Sequence, residues 1–212
     1  ANLDKILAAE GLSAVHGILL DLGLSSLQLG SKNRGFSYRS EGPLDMRFDQ
    51  SNGSGAGKLI DQADQDSLAQ IFKEYGEERL ASRIAKSIKE MTDMNTIPDL
   101  REAIRRCTPP NHRDRTFARI FQALRIAVNG ELDILQQFLT KFIDFLHPGG
   151  RIVIISYHSL EDRLVKHSFK ELASGGTLDI LTKRPITAAA EERRINRRAG
   201  SAKLRAAVKM AL

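Results

Sequence analysis

Between residues 131 and 157 the apolar positions change their period midway. Leu132, Leu135, Phe138, Leu139, Phe142, Phe145 and Leu146 recur at three- and four-residue intervals, the period of an amphipathic helix. Pro148, Gly149 and Gly150 end that helix, and Ile152, Val153, Ile154 and Ile155 follow as an uninterrupted apolar run. A β-branched run of this kind, closed by Ser156 and Tyr157, predicts a strand buried on both faces. Helix, turn and buried strand together make one αβ step of a parallel sheet. A second step stands at the front, where residues 3–10 predict a short helix and residues 15–20 a buried strand ending at Asp21.

Both strands deliver polar residues at their carboxyl ends, the edge at which open α/β sheets bind ligands, so Asp21 and residues 156–163 are expected to face one crevice. Roughly 130 residues separate the two strands, whereas a crossover needs about a dozen. An inserted subdomain accounts for the excess. Within it, residues 68–91 carry a helical stripe through Ile71, Phe72, Leu80, Ile84 and Ile88, weakened at Gly76. A second helix starts at Thr96, where Asp99 three residues on completes a capping-box start and Pro98 suits a first turn. A third, over 115–129, buries Phe117, Ile120, Phe121, Leu124 and Val128 and turns Arg115, Arg119 and Gln122 outward, with Ile126 as the exception. Residues 51–57, rich in Gly and Ser, predict a flexible loop.

Composition narrows the class. With 42% apolar and 27% charged residues in a chain of 212, collagenous and low-complexity classes are excluded. The apolar runs are strand-sized and too short to span a bilayer. The single cysteine, Cys107, cannot form an intrachain disulfide, and no basic-then-apolar leader opens the chain, so the cytoplasm is the expected compartment. The net charge of +6 is unevenly spread. Lys183, Arg184, Arg193, Arg194, Arg197, Arg198, Lys203, Arg205 and Lys209 are opposed there only by Glu191 and Glu192. Such an excess suits a nucleic-acid backbone. A solvated basic tail is the plain alternative.

Three segments can carry chemistry. In residues 21–29 an acid is followed by Gly, two hydroxyls and an amide, groups that either hydrogen-bond a polar ligand or leave Asp21 and Ser25 to cap a helix near Ser26. Residues 33–37 and 42–47 form an aperiodic loop in which Arg34 and Arg47 suit phosphate, unless Asp45 simply pairs with Arg47. Residues 156–163 put His158 at a strand-to-helix junction, with Ser159 suited to an N-cap and Asp162 to its third position. No nucleophile elbow surrounds the histidine, and the five histidines and one cysteine are too scattered for a metal site, so none is expected.

Six motifs in order carry a resemblance: Asp-Leu-Gly-Leu-Ser-Ser-Leu-Gln-Leu at 21–29, Arg-Gly-Phe-Ser at 34–37, Pro-Leu-Asp-Met-Arg at 43–47, Tyr-Gly-Glu-Glu-Arg at 75–79, Phe-Gln-Ala-Leu-Arg-Ile at 121–126 and Ser-Tyr-His-Ser-Leu-Glu-Asp-Arg at 156–163. Together they resemble the MraW/RsmH family of bacterial 16S ribosomal RNA cytosine-N4 methyltransferases. The resemblance implies an α/β, Rossmann-like class I methyltransferase core, incomplete here, with an inserted helical subdomain. On that reading residues 1–29 are part of the core, 30–130 the inserted RNA-recognition subdomain, and 131–212 the rest of the core with the basic tail. The chain is then expected to begin downstream of the Gly-rich loop and the acid that also hold cofactor in the family.

The implied cofactor is S-adenosyl-L-methionine, contacted by Asp21 and Gln28. His158, Ser25 and Ser26 are the catalytic candidates, and Arg34, Arg47, Arg115, Arg119, Arg194, Arg197 and Arg198 the RNA-binding ones. The implied partner is 16S ribosomal RNA in the small ribosomal subunit, with no membrane and with a homodimer left open. The sequence departs from the family at Gly30, Phe48 and Tyr157, where Asp, Met and Phe are common. Amino-directed DNA methyltransferases carry an Asp/Asn-Pro-Pro-aromatic motif at the strand end that Asp21 occupies, here without the prolines. The alternatives are a non-catalytic RNA- or ribosome-binding module, and an amino-methyltransferase acting on DNA or another RNA.

Overall fold

In chain order the elements are α1 (Leu3–Ala9), β1 (Val15–Asp21), α2 (Ser26–Gly30), α3 (Ala56–Gln62), α4 (Gln65–Gly76), α5 (Ala81–Lys89), α6 (Ile97–Cys107) and α7 (Arg113–Asn129). They continue with α8 (Glu131–Leu139), β2 (Leu146–Ser156), α9 (Ser159–Ser174), β3 (Leu178–Ile180), β4 (Ile186–Thr187), α10 (Ala190–Ile195) and β5 (Lys203–Lys209). The computed structural model describes residues 2–31 and 33–211, leaving out the side chain of Ser26. Two units are distinguished: a sheet unit, Ala1–Gly23 with Leu132–Leu212, and a helical unit, Leu24–Glu131. The protein is thus of mixed α/β class.

The sheet runs β1-β2-β5-β3, with β4 also paired to β5. β1 and β2 are parallel, Ile18 opposite Ile152 and Asp21 opposite Ile155, whereas β5 runs antiparallel to β2, β3 and β4. α9 packs on β2, β3 and β5. Leu135, Leu139, Phe142, Ile152, Ile154, Val165 and Phe169 are buried together, with Ile18 and Leu20 partly buried against them.

The expected burial of β1, and of β2 on both faces, is corrected. β1 is an edge strand whose residues 16, 17, 19 and 21 are exposed, and Val153 and Ile155 of β2 are only half-buried. Among the described residues of this unit the helical cover is one-sided, burying Ile152 and Ile154 and leaving the alternate residues without a layer. The helix expected through Leu146 is also shorter. α8 stops at Leu139, a 3-10 turn takes Phe142–Phe145, and β2 already begins at Leu146. Pro148, Gly149 and Gly150 therefore lie within β2, as an irregularity between the pairs Val15–Leu146 and Gly17–Arg151.

In the helical unit Phe72, Ile84, Ile97, Leu100, Ile104, Ile120 and Leu124 share one core. α6 starts as the sequence predicts: Thr96 caps it, Asp99 returns a bond to the Thr96 N–H at 2.9 Å, and Pro98 sits in the first turn. The single stripe expected over 68–91 is instead two helices, because Glu77 takes a left-handed conformation (φ 49°) that ends α4. Just before that break Gly76 meets α7 so closely that a β-carbon would lie 2.9 Å from the Arg119 carbonyl oxygen. Lack of a side chain, rather than flexibility, is what Gly76 supplies.

Two further expectations change. Ile126, the exception on the outer face of α7, is buried. The Gly/Ser-rich stretch contains the start of α3, whose first N–H groups are taken by loop carbonyls: Ala56 donates to Asp45 at 2.7 Å and Gly57 to Leu44 at 2.8 Å. Those bonds satisfy donors that a helix start leaves open, with no capping side chain for the sequence to reveal.

Candidate functional site

At the carboxyl ends of β1 and β2 the chain places Asp21, Leu22 and Gly23 beside Tyr157 and His158. The Leu22 N–H extends the parallel ladder by donating to the Ile155 carbonyl at 3.0 Å. Tyr157 then reaches across, and its hydroxyl donates to Asp21 Oδ1 at 2.9 Å. Its ring covers Gly23, which sits at φ 96°; a β-carbon there would stand 3.3 Å from the ring. Burial, the Asp21 hydrogen bond and the charges of Asp21 and Glu161 all push the Tyr157 phenol up, so it remains a donor to the exposed Asp21 carboxylate. The phenol was legible in the sequence only as a departure from the family's usual Phe; the bond to Asp21 was not.

His158 is the N-cap of α9, one residue earlier than the predicted Ser159. The histidine Nδ1 accepts from the Glu161 N–H at 3.3 Å, and Glu161 Oε2 accepts from the N–H groups of Tyr157 at 2.8 Å and His158 at 3.3 Å. Nε2 lies 3.2 Å from Glu161 Oε1 without the alignment of a hydrogen bond. Burial works to raise the Glu161 pKa, but the His158 and backbone contacts outweigh it and hold the carboxyl low. Asp162, expected as the cap's partner, instead binds Arg205 on β5, with Nε to Oδ1 at 2.7 Å and Nη2 to Oδ2 at 3.2 Å. Asp162 and Arg205 stand 43 residues apart, and the sequence carries no sign of their pairing.

Ser25 takes the capping role open to it. Its hydroxyl accepts from the Gln28 N–H at 3.2 Å, and Gln28 Oε1 accepts from the Ser25 N–H at 3.0 Å, a reciprocal box at the start of α2. Asp21 takes no part in that cap. The Ser26 side chain lies outside the described residues.

Among the basic candidates, Arg34 and Arg47 are bonded within their loop. Arg34 Nη2 donates to the carbonyls of Arg47 at 2.9 Å and Phe48 at 2.7 Å, and its guanidinium lies over the Phe36 ring. Arg47 pairs with Asp45 at 2.7 Å and donates to the carbonyls of Gln50, Asn52 and Gly53. The hydrogen bonds from Arg47 hold the Asp45 carboxyl below the usual carboxylate range. Arg115 is exposed on α7, and Arg119 lies 3.5 Å from Glu78. Arg194, on α10, and Arg197 and Arg198, in the 3-10 turn Arg197–Ser201, are exposed. Among the described residues no helix is long and apolar enough to cross a membrane.

A parallel strand pair that ends in an acid and a Tyr-His step, backed by helices on one face, defines an α/β protein with a polar ligand edge. Residues 1–210 match the family model described as the MraW methylase family. The chain belongs to that family. It is 49% identical over 211 residues to the ribosomal RNA small subunit methyltransferase H of Kosmotoga olearia, covering 97% of this chain and 70% of that protein. It is 49% identical over 202 residues to the protein of that name from Synechocystis sp., covering 94% of this chain and 65% of that one. For the Crocosphaera subtropica relative the figures are 48% over 193 residues, with 90% and 60% covered. The chain thus spans 60% to 70% of the length of these relatives.

Proposed function

We propose that this chain is part of an enzyme that transfers a methyl group from S-adenosylmethionine to the N4 amine of a cytidine in the decoding region of 16S ribosomal RNA, in the cytoplasm. The observation that carries the reading is the Asp21–Tyr157 pair at the carboxyl edge of a parallel strand pair, in a chain of the MraW methylase family. On this reading the sheet unit is the larger part of a Rossmann-like core, and the helical unit is its RNA-recognition insertion.

The groups at that edge suit the cofactor. Asp21 is an exposed carboxylate, an acceptor for the ammonium or ribose hydroxyls of S-adenosylmethionine; Gln28, in the helical unit, is a second cofactor candidate on the family resemblance alone. When bound, the cofactor supplies a methyl group on a positively charged sulfur. The chain's own task is to hold the target base, whose exocyclic amine is a poor nucleophile because its lone pair is delocalised into the ring. Ser25 and Ser26 are our candidates for accepting hydrogen bonds from that amine, and His158, whose Nδ1 already accepts from the Glu161 N–H, for donating through Nε2 to the base, so the barrier falls through positioning and electrostatics. The base must leave its stack to arrive there. Phosphates along its path would meet Arg115, Arg119, Arg194, Arg197 and Arg198; Arg34 and Arg47 serve RNA indirectly, by shaping their loop.

The test uses the protein extended to the length of its relatives. In Asp21→Ala, titration calorimetry should show weakened S-adenosylmethionine binding in a folded protein. His158→Asn keeps a good N-cap residue. It should therefore preserve stability and cofactor binding while methyl transfer to small subunits drops sharply. Unchanged cofactor affinity in Asp21→Ala, or parental single-turnover transfer in His158→Asn, removes the residue from the site.

A further inference from the structure

Two asparagines of the helical unit are followed by glycine, in the steps Asn52–Gly53 and Asn129–Gly130. Such a step carries a latent reaction. The backbone nitrogen of the second residue can attack the side-chain amide carbon of the first, and glycine has no side chain to shield that nitrogen. The C–N bond that forms closes a succinimide ring. The C–N bond that breaks releases the side-chain nitrogen as ammonia, which carries off the proton lost from the glycine N–H. Water then opens the ring at one of its two carbonyls, leaving aspartate or isoaspartate. Neither cofactor nor RNA takes part, and the reaction requires only that the two atoms are free to meet.

The fold treats the two steps oppositely. Asn129 Nδ2 donates to the carbonyls of Met46 at 2.7 Å and Arg125 at 2.8 Å, and its Oδ1 accepts from the Phe48 N–H at 2.7 Å. The Gly130 N–H closes α7 by donating to the Ile126 carbonyl. Amide and nucleophile are both engaged. Asn52 and Gly53, by contrast, are exposed in the loop before α3. Among the described residues one bond holds the Asn52 side chain, from Nδ2 to Asp49 Oδ2 at 3.1 Å, and the Gly53 N–H has no hydrogen-bond partner. Gly53 sits at φ 70°, and a β-carbon there would meet nothing within 4 Å, so no neighbour crowds the turn in which nitrogen and amide must meet.

We propose that Asn52 is a site of spontaneous deamidation and that its conversion loosens the clasp around Arg47 from which α3 starts. Arg47 Nη1 donates to the carbonyls of Gln50 at 3.0 Å, Asn52 at 3.4 Å and Gly53 at 3.2 Å. The same guanidinium pairs with Asp45, and the Asp45 carbonyl accepts the Ala56 N–H at the start of α3. Isoaspartate lengthens the main chain by one carbon and turns the Asn52 carbonyl into a free carboxylate, so the carbonyls around Arg47 lose their spacing. Aspartate keeps the path of the chain but removes a donor. Bonds from Ser51 and Asn52 hold the Asp49 carboxyl below the usual carboxylate range, and a new carboxylate at residue 52 replaces one of those bonds with a like charge.

The experiment incubates the folded chain at mildly alkaline pH and follows both steps by peptide mass and isoaspartate content. Residue 52 should convert about tenfold or more faster than residue 129, which reacts only after local opening of its bonds. In urea the two should convert at similar rates, because the Asn-Gly step is the same in both. Aged wild type should lose several-fold of its hydrogen-exchange protection at Ala56 and Gly57. Aged Asn52→Gln, whose longer side chain closes a ring far more slowly, should keep it. Equal conversion of both asparagines in the folded chain, or no conversion of residue 52 under conditions where the unfolded chain reacts, overturns the site. Full conversion of residue 52 with protection at Ala56 and Gly57 unchanged overturns the loosening. Neither result bears on the reading of the chain as part of an RNA methyltransferase.

Discussion

Phe72, Ile84, Ile104 and Leu124 in the helical unit are all fully buried, whereas Leu19 in the sheet unit keeps 69% of its surface exposed at the centre of a strand. The helices close their core among themselves: each presents one apolar stripe, and α4, α5, α6 and α7 turn those stripes inward. A strand presents two faces and two edges, and β1 has one of each without cover among the described residues of its unit. In the sheet unit, Asp162–Arg205 and Tyr157–Asp21 join separate parts of the chain and His158–Glu161 caps α9.

The largest effect should come from the centre of the helical core. Phe72→Ala is expected to cost about 3–5 kcal/mol, from lost burial and the cavity left behind. Two units need not unfold together. Hydrogen exchange read on peptides of each unit should show the loss in α4 to α7 while β2 stays protected. Equal loss in both would break the distinction drawn above.

Next in size is the pair between α9 and β5. Asp162 and Arg205 side chains are 13% and 8% exposed, so Asp162→Ala leaves a guanidinium largely buried without its carboxylate, at a cost of up to about 3 kcal/mol. Burial acts to raise the Asp162 pKa, but the bonds and charge of Arg205, with help from Lys203, hold it lower than usual. Because the folded value is the depressed one, the stabilisation is complete above the ordinary carboxylate value near 4 and is lost as pH falls through the folded value. Urea titrations at descending pH should show this acid-sensitive component in the wild type and a smaller one in Asp162→Ala.

What the sequence reveals divides along the same line. The stripe of α7, the Thr96 cap and the αβ step around β2 are local patterns, and residues 96–99 alone specify the start of α6. What it hides is relational. Apolar runs in β1 and β2 look alike whether one face is covered or two, so Leu19 reads as buried. Residues 21–29 resemble the family's motif, yet only the fold reveals Ser25 and Gln28 bonded to one another and Asp21 bonded to Tyr157. Arg34 and Arg47 look like phosphate ligands by type, but their acceptors are carbonyls supplied by the path of the loop itself.

The smallest expected effect is the sharpest probe of the open strand. Leu19 lies opposite Val153 in the parallel pair, on the alternate face from Ile18 and Leu20, which pack toward the buried residues of the unit. Leu19→Thr introduces a β-branched residue suited to a strand and removes apolar surface that is mostly in water already. The change in stability of this chain should therefore stay within about 0.5 kcal/mol. Ile154→Ala in the neighbouring strand, at 1% exposure, should cost about 2–5 kcal/mol. Both are read from denaturant midpoints with the slope checked for constancy. Should Leu19→Thr cost more than about 1 kcal/mol, Leu19 would be packed against something in solution, for exposed positions away from special features seldom reach that value. The two units would then differ in what covers their apolar faces rather than in whether those faces are covered.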